Sequence, residues 1–279
     1  MAGHPCPIPR RVGIVPKVSS AEAAETAQAV AHFLRGKGVE VLTDEAAIGR
    51  DADLVVVLGG DGTLIHAAAL LDGRAAPILG VNMGSLGFMT ETPLAETYPM
   101  LETVLAGEAT VSPRMKLRVH LHRGGSAERA LDTEVLNDVV ISKSPFSRMV
   151  ELDVRCSRQY VSTLKADGVI VATPTGSTAY ALAAMGPILF PTMRGVVLAP
   201  ICPHTLTQRP LVVPDDETLD IVIMNDAEVF LTLDGKKGPA LVRGDRVQVK
   251  QSYNRVLLVH NARLDFFGIL RAKLRWGER

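Results

Sequence analysis

Short apolar runs alternate with helical patterns through residues 1–111. Four runs predict strands, at 12–15, 39–42, 54–58 and 78–81. Between the first two, Ser19 and Glu22 stand at capping-box spacing, and a helical apolar pattern follows them. The run LVVVL at 54–58 is apolar throughout, which is typical of a strand covered on both faces in a parallel sheet. The alternation predicts a Rossmann-like open parallel α/β sheet.

Two further helices are predicted in this part of the chain. One is expected from Leu64 to Leu71, after a glycine-rich turn. The other is expected to start near Thr92-Pro93 and to run toward Leu105, because threonine is a common N-cap and proline suits the first helical position.

From residue 112 onward, polar and apolar residues alternate with a period of two. The pattern begins at 117–121 and recurs at 152–156, 219–223, 229–233 and 247–249, with turn-forming segments between several of these runs. It predicts a mostly antiparallel, β-sandwich-like domain over 112–255, interrupted by a short helix at 178–185. The apolar C-terminal segment, 256–279, is expected to pack back on the first domain.

Composition narrows the partners of this 279-residue chain. Lys plus Arg and Asp plus Glu are both 30, so the zero net charge gives no electrostatic footprint for nucleic acid or an anionic membrane. Any anionic ligand therefore needs a local site. The three cysteines fit neither a disulfide framework nor a CxxC metal site. With no signal-peptide pattern at the start and no apolar run near the ~18 residues that span a bilayer, we expect a cytoplasmic protein.

The motif GGDGT at 59–63 lies between a buried strand and a helix. Its glycines let the backbone approach a ligand, and the helix N-terminus attracts phosphate. The candidate phosphate-binding residues are Gly59, Gly60, Gly62 and Thr63. Asp61 would repel a phosphate, so it needs a purpose such as a base or a metal contact, and its flanking glycines are expected to leave its carboxylate free. A tight turn with a local hydrogen bond is the alternative.

A second motif, TPTGSTAY at 173–180, follows another apolar run. It crowds four hydroxyls into six residues, those of Thr173, Thr175, Ser177 and Thr178. Gly176 allows close backbone approach, and Tyr180 offers an aromatic face to a base. A capped helix start is the alternative, although four hydroxyls exceed what capping requires. The pair Asn137-Asp138, ahead of an apolar run, is by itself more typical of a turn.

Together these motifs resemble the NAD kinase family, also called ATP-NAD kinases. GGDGT is shared with diacylglycerol and sphingosine kinases and, loosely, with phosphofructokinases, whereas TPTGSTAY is far more specific. The motif order, with LNDVV at 136–140 between them and PHTLTQRPLVVP at 203–214 after them, matches that family along almost the whole chain. The resemblance implies transfer of the γ-phosphate of ATP to the 2′-hydroxyl of the adenosine ribose of NAD, giving NADP. It also implies a homodimer or homotetramer. No His or Cys cluster in the sequence offers a dedicated metal site, so Mg²⁺ is expected to arrive with ATP.

The resemblance further implies roles for individual residues. Asp61 is the expected catalytic base. The expected substrate-binding residues are Asp61, Gly62, His66, Asn137, Asp138, Arg148, Lys165, Asp167, Thr178, Ala179, Tyr180, Ala181, Leu182 and Ala183. For His66, a solvent-facing histidine on a helix is an equal alternative. A charged residue at the position of Lys165 goes with preference for NAD over NADH.

Two departures from the family pattern bear on the site. Lys236 follows Asp234-Gly235 where many members carry glutamine, and an ammonium there would reach a phosphate instead. The usual small-Gly-Gly-Pro reads Ala184-Met185-Gly186-Pro187, and Met185 is expected to pack in the core rather than to narrow the pocket.

Other functions remain open on the sequence alone. A lipid kinase would keep GGDGT but has no reason to hold TPTGSTAY, and a catalytically dead NAD(P)-binding regulator has no need of Asp61. No GxGxxG or GxxxxGK[ST] motif occurs, which argues against an ordinary dehydrogenase and against P-loop chemistry. The sequence leaves open whether polyphosphate replaces ATP and whether NADPH regulates the enzyme.

Overall fold

A computed structural model describes residues 4–84, 86–261 and 265–276. The chain divides into two units, Met1–Arg114 with Asn254–Arg279, and Met115–Tyr253. In chain order, the first unit opens with β1 His4–Pro5, β2 Arg11–Pro16, α1 Ala21–Gly36, β3 Glu40–Leu42, α2 Glu45–Asp51, β4 Leu54–Gly59, α3 Asp61–Leu70, β5 Ile78–Asn82, β6 Thr92–Pro93 and α4 Thr97–Leu105.

Strand β7, Thr110–His122, leads into the second unit. The elements that follow are β8 Arg129–Val135, β9 Asp138–Lys143, β10 Val150–Cys156, β11 Gln159–Ala166, β12 Gly168–Ala172, α5 Tyr180–Ala183, β13 Gly195–Ile201, β14 Leu211–Pro214, β15 Leu219–Ile223, β16 Val229–Leu233, β17 Lys236–Leu241 and β18 Arg246–Val259. Helix α6, Phe266–Leu274, closes the chain within the first unit. The expectation that 256–279 packs back on the first domain extends to residues 262–264 and 277–279, which lie outside the described residues.

The first unit is built on an open parallel sheet. Its strands lie in the order β3-β2-β4-β5, and each neighbouring pair is parallel. All six residues of β4 are buried, as the uninterrupted apolar run predicts. Helix α1 contributes Ala23, Val30 and Leu34 to an apolar cluster that includes side chains of β2, β4 and β5. The predicted parallel α/β sheet is thus confirmed.

Several helix boundaries differ from the predictions. Helix α1 is capped by Ser20, not Ser19, because the Ser20 hydroxyl accepts a hydrogen bond from the Ala23 N–H at 3.2 Å. Thr92-Pro93 starts no helix: these residues pair in parallel with the end of β5, and the α-helix begins at Thr97 after a 3-10 turn at Leu94–Glu96. Backbone pairing with the end of β5 therefore prevails over the local capping signal.

The second unit contains two antiparallel arrangements. One sheet has the order β14-β13-β12-β9-β16-β17. The other joins β11-β10-β15-β18 with antiparallel contacts, and β7 pairs with β8 and β18. Inward side chains from both form one apolar cluster, including Leu117, Ile141, Val171, Ile221 and Leu231. The predicted β-sandwich-like domain is confirmed. Among the described residues, no helix combines the length and apolarity needed to cross a membrane.

Candidate active site

The GGDGT motif forms the turn from β4 into α3. Gly60 is the residue before the helix, and its carbonyl accepts hydrogen bonds from the Thr63 and Leu64 N–H groups at 3.0 and 3.1 Å. The helix begins at Asp61 rather than at Leu64, so the motif itself supplies its first turn. The N–H groups of Asp61 and Gly62, which precede Thr63, have no partner within the helix. The turn therefore places potential phosphate donors at the carboxyl end of a parallel strand, where ligands bind in open α/β sheets.

The carboxylate of Asp61 is held by a loop rather than free. Its Oδ1 accepts from the backbone N–H groups of Met89 at 3.0 Å and Thr90 at 3.1 Å, and from the Thr90 hydroxyl at 3.3 Å. Its Oδ2 accepts from the Phe88 N–H at 2.9 Å. The sequence analysis expected the flanking glycines to leave this carboxylate free. The structure contradicts that expectation, because the carboxylate accepts four hydrogen bonds. A β-carbon at Gly87 would overlap Asp61 Oδ1 and the Thr90 hydroxyl, so glycine permits this close approach.

The two carboxylate oxygens of Asp61 accept different numbers of hydrogen bonds. Oδ1 accepts three hydrogen bonds and Oδ2 accepts one, among the residues that the structure describes. A carboxylate oxygen has about two lone-pair sites. Oδ2 therefore keeps the capacity to accept a hydrogen bond from a substrate hydroxyl, while Oδ1 fixes the orientation of the group.

His66, also on α3, has a protein partner. Its Nε2 lies 2.8 Å from Glu45 Oε1 at the start of α2, and the side chain is partly exposed. This arrangement agrees with the alternative of a surface histidine on a helix.

In the second unit, Asn137-Asp138 is anchored by Asp234. The Asp234 carboxylate accepts from the backbone N–H groups of Leu136 and Asn137, both at 2.7 Å, and of Asp138 at 3.2 Å. Asp234 and Gly235 form the turn between β16 and β17 with φ of +48° and +75°, the left-handed conformations of a tight hairpin. The sequence showed this pair only as a turn signal, because nothing local indicates which distant backbone its carboxylate reaches.

The structure brings the TPTGSTAY loop onto the same segment. The Thr173 N–H donates to the Asn137 carbonyl at 2.9 Å, and the Thr173 hydroxyl donates to the Leu136 carbonyl at 2.6 Å. A β-carbon at Gly176 would overlap the Asn137 carbonyl oxygen, so this glycine is required by close backbone packing. Two motifs far apart in sequence thus form one buried cluster.

Three of the four hydroxyls donate hydrogen bonds to backbone carbonyl groups. Thr173, Ser177 and Thr178 donate to backbone carbonyls of Leu136, Pro174 and Thr175. The crowding of hydroxyls is therefore largely structural, which corrects the sequence argument. The exception is Thr175: its Oγ1, like Asn137 Oδ1, is buried without a hydrogen-bond partner among the described residues.

An unsatisfied buried polar atom costs about 1–3 kcal/mol, so each such atom needs an explanation. Asn137 Oδ1 is an acceptor, and Thr175 Oγ1 is both a donor and an acceptor. A ligand that carries hydroxyl or amide groups would satisfy both. Thr175 is therefore a candidate ligand-binding residue that the sequence analysis did not select.

Asp138 and Asp234 are neighbouring buried acids. Burial and, as the smaller cause, the negative charge of Asp234 together raise the pKa of Asp138 to about 6. Burial also raises the pKa of Asp234, opposed by the three backbone N–H groups and by the Lys116 ammonium. Such perturbed carboxyl groups are more frequent at functional sites than elsewhere.

Residues 178–183 contribute unequally to a cavity of about 620 Å³ in the second unit. Tyr180 and Ala183 line it, together with residues 184–185, 200–203 and 208–210. Ala179 is exposed and Thr178 and Leu182 are half-buried. Ala181 is fully buried in an apolar cluster that includes Ile170 and Val197, so its side chain is part of the core.

Met185 lies at the cavity and not in the core. Its side chain is 84% exposed, and its φ of +63° turns the chain after α5. The next N–H, of Gly186, donates to the Ala181 carbonyl at 2.8 Å. This turn directs Met185 outward, so the expectation of core packing is wrong and a narrowed pocket is the better interpretation.

Arg148 and Lys165 line a second cavity of about 390 Å³. Lys165 Nζ lies 3.5 Å from Glu151, and Arg243 lies 3.9 Å from Asp226 at the same cavity. Arg148 is exposed and has no side-chain partner among the described residues. The uncompensated cation is therefore that of Arg148, which suits an anionic ligand group. Nearby, Asp167 lies 3.7 Å from Lys143 Nζ.

For the NAD substrate that the family resemblance implies, we expect Arg148→Ala to raise the KM by about tenfold, with kcat unchanged. Charge-assisted hydrogen bonds contribute roughly 1.5–3 kcal/mol, and solvent exposure places Arg148 at the low end of that range. Steady-state kinetics with varied NAD measures the effect. Arg255→Ala is the control, because Arg255 is also exposed but does not line the cavity. A fall in kcat alone would contradict the assignment.

Comparison with known proteins identifies the family. Residues 45–109 match the ATP-NAD kinase N-terminal domain, and residues 136–261 match the ATP-NAD kinase C-terminal domain. An NAD kinase of Geotalea daltonii is 44% identical over 97% of this chain and 100% of its own length. An NAD kinase of Geobacter metallireducens is 48% identical over 89% of this chain and 87% of its own.

Solved structures share the fold. Yeast NADH kinase complexed with NADH has a TM-score of 0.87 at 24% identity, covering 97% of this chain and 88% of that one. An NAD kinase from Archaeoglobus fulgidus in complex with ATP has a TM-score of 0.75 at 25% identity, covering 94% and 99%. No support emerges for a lipid kinase or a dead regulator. GGDGT and TPTGSTAY fall within the two matched domains, and the chain belongs to the ATP-NAD kinase family.

Proposed function

We propose that this enzyme transfers the γ-phosphate of ATP to the 2′-hydroxyl of the adenosine ribose of NAD, giving NADP and ADP. The observation that carries the chemistry is the GGDGT turn. It combines a helix N-terminus suited to phosphate with a carboxylate whose Oδ2 keeps an acceptor site. The ATP complex of the Archaeoglobus fulgidus relative supports ATP as donor, and polyphosphate stays an alternative donor.

In the proposed reaction the ribose 2′-oxygen forms a bond to the γ-phosphorus as the bond from that phosphorus to the β-bridging oxygen breaks. ADP leaves with that electron pair, and the hydroxyl proton passes to Asp61 Oδ2. Phosphoryl transfer has a loose transition state in most analyses, so orientation of the hydroxyl contributes more than its early deprotonation. Asp61 serves as base and orienter, with Gly59, Gly60, Gly62 and Thr63 as the proposed phosphate donors.

The second unit supplies the proposed groups for NAD. Asn137 Oδ1 and Thr175 Oγ1 would bond ribose hydroxyls or the carboxamide, and Tyr180 would present its ring to a base. Arg148 would bind a phosphate. The proposed set is completed by Gly62, Asp138, Asp167, Thr178, Ala179, Leu182 and Ala183. His66 and Ala181 have less support, because His66 contacts Glu45 and the side chain of Ala181 is part of the apolar core.

Mg²⁺ is the proposed companion of ATP. The described residues contain no cluster of three or more His, Cys, Asp or Glu side chains that could hold a metal ion. The phosphates themselves are then the expected main ligands, with one or two protein oxygens at most. When bound, Mg²⁺ would neutralise charge on the transferred group.

The test of the proposed function is a choice of acceptors. Purified enzyme with ATP and Mg²⁺ is offered NAD in one reaction and a diacylglycerol in detergent micelles in another. We expect NADP in the first and no phosphorylated lipid in the second. Lipid phosphorylation without NADP would refute the proposal, and NAD binding without turnover would favour a regulator.

We also propose a preference for NAD over NADH of about tenfold in kcat/KM, which 1.4 kcal/mol of differential contact would give. Lys165 carries the proposal. Oxidised nicotinamide is cationic, so a bare lysine would repel it, but Glu151 lies 3.5 Å from Lys165 Nζ and offsets that charge. The preference must then come from shape or from phosphate contacts. Equal efficiencies with the two substrates would contradict it.

A homodimer or homotetramer is the proposed assembly. Strand β14 lies at the end of its sheet, with Leu211 and Val212 43% and 46% exposed. An apolar edge strand is a ready pairing surface. We expect light scattering at micromolar concentration to give a multiple of 29.9 kDa, and Val212→Lys to lower it. A monomeric mass for the unaltered protein would contradict this.

The three free cysteines are consistent with the proposed reducing, cytoplasmic location.

A further inference from the structure

The loop that holds Asp61 ends in a second, buried carboxylate. Phe88, Met89 and Thr90 give their N–H groups to Asp61, and the next residue, Glu91, is 8% exposed. Glu91 thus lies between these three residues and strand β6, which begins at Thr92. Neither the sequence motifs nor the proposed chemistry gives it a role.

Glu91 has two basic partners in the same unit. Its Oε1 lies 3.5 Å from Arg114 Nη2, and its Oε2 lies 3.3 Å from His260 Nδ1. Arg114 is only 5% exposed, and its Nε has no partner among the described residues. Burial lowers the pKa of Arg114, and the Glu91 charge opposes that effect. Loss of the Glu91 charge would leave this buried guanidinium without a counter-charge, which is strongly destabilising.

The segment after β18 contacts the same loop at further points. Asn261 Nδ2 donates to Glu96 Oε2 at 2.9 Å, and Lys273 Nζ of α6 lies 5.6 Å from the ring centre of Phe88. Together with His260, these contacts tie the C-terminal segment to residues 88–96. The loop is therefore constrained by the C-terminal segment as well as by Asp61.

We infer that Glu91, held by Arg114 and His260, is a positioning residue for Asp61. The direction of the three loop N–H groups sets the orientation of the Asp61 carboxylate, and that direction depends on the backbone next to Glu91. This inference rests on the proposed function, because it assigns Asp61 Oδ2 to the reacting hydroxyl. A misplacement of about 1 Å at a reacting group can cost on the order of 10²-fold in rate.

The inference predicts a separation of kcat from KM. Glu91→Gln keeps the shape of the side chain and removes its charge, so the loop loses its counter-charge to Arg114. We expect kcat to fall about 10- to 100-fold, while the KM for NAD stays within about twofold because the proposed NAD ligands other than Asp61 and Gly62 belong to the second unit. Glu102→Gln is the matched control, an acid on α4 whose carboxylate pairs with Lys37 and, among the described residues, not with the loop, and it should keep wild-type kcat.

A double substitution separates positioning from stability. Glu91→Gln alone leaves the Arg114 charge buried without its counter-charge, which by itself could loosen the fold. Replacing both, as Glu91→Gln with Arg114→Met, removes that charge as well, so the melting temperature should return toward the wild-type value. The low kcat should persist, because the tether of the loop is still absent.

The decisive readout is coupling to Asp61. In an Asp61→Asn background, Glu91→Gln should change the remaining kcat by less than about twofold, because a positioning residue has nothing left to position. Full additivity of the two losses, or wild-type kcat in both Glu91 variants, would overturn the inference. Failure of the proposed function is distinguishable, since wild-type enzyme would then form no NADP from NAD and ATP.

Discussion

Replacing Asp61 by asparagine is expected to lower kcat for NADP formation by about 10²–10⁴-fold, the usual contribution of a general base. Asparagine keeps the shape of the side chain but offers one acceptor oxygen instead of two. That oxygen faces either the Met89 and Thr90 N–H groups or the substrate hydroxyl, and it cannot serve both positions. NAD binding, measured by calorimetry, should stay close to wild type.

Thr90→Val is the control for Asp61→Asn. It removes the hydroxyl that donates to Asp61 Oδ1 at 3.3 Å and leaves the charge and the backbone donors in place. Its loss should be limited to about tenfold, because a typical hydrogen bond contributes roughly 0.5–1.5 kcal/mol. If Asp61→Asn kept more than about half of the wild-type kcat, Asp61 would be a turn residue and another base would be required.

Asp138→Asn is expected to stabilise the protein at pH 7 while it weakens NAD binding. Burial and Asp234 raise the pKa of Asp138 to about 6 from an ordinary value of 3.8. The folded state therefore holds its proton more tightly than the unfolded chain. Stability from this group is fully present below about pH 4 and is lost as pH rises toward 6. At pH 7 the penalty is at most about 3 kcal/mol, and asparagine removes it.

Denaturant unfolding from pH 4 to pH 7 measures this prediction. The gain from Asp138→Asn should be close to zero at pH 4, grow through pH 5, and level off above pH 6. Asp216→Asn is the control, because Asp216 is exposed and should show no such trend. A gain that does not change with pH would contradict the electrostatic explanation.

The sequence predicted the sheets well because burial along a strand is a local property. The continuous apolar run of β4 and the alternation in β15 and β16 each record which side chains face a core, whatever lies across from them. Boundaries failed where a distant backbone competed with a local signal. Thr92 is the example, because its pairing with Val81 replaces the expected cap.

The sequence identified which residues belong to the candidate site, but it did not predict which groups those residues contact. GGDGT and TPTGSTAY marked the candidate site, yet nothing near Asp61 indicates that the backbone of 88–90 holds it, or that Asp234 holds Asn137. The four hydroxyls looked equivalent in sequence, and only the fold separates Thr175, whose oxygen is unsatisfied, from the three that donate to backbone carbonyls. Met185 follows the same logic, since a left-handed backbone angle decides that it faces the cavity.

The most direct test of the account is the identity of the product. Enzyme, NAD, ATP and Mg²⁺ are incubated, and the product is analysed by phosphorus and proton NMR. We expect one new phosphomonoester, coupled to the 2′-proton of the adenosine ribose, with one ADP formed for each NADP. Phosphate appearing only as the inorganic ion, or on any other hydroxyl of NAD, would contradict it.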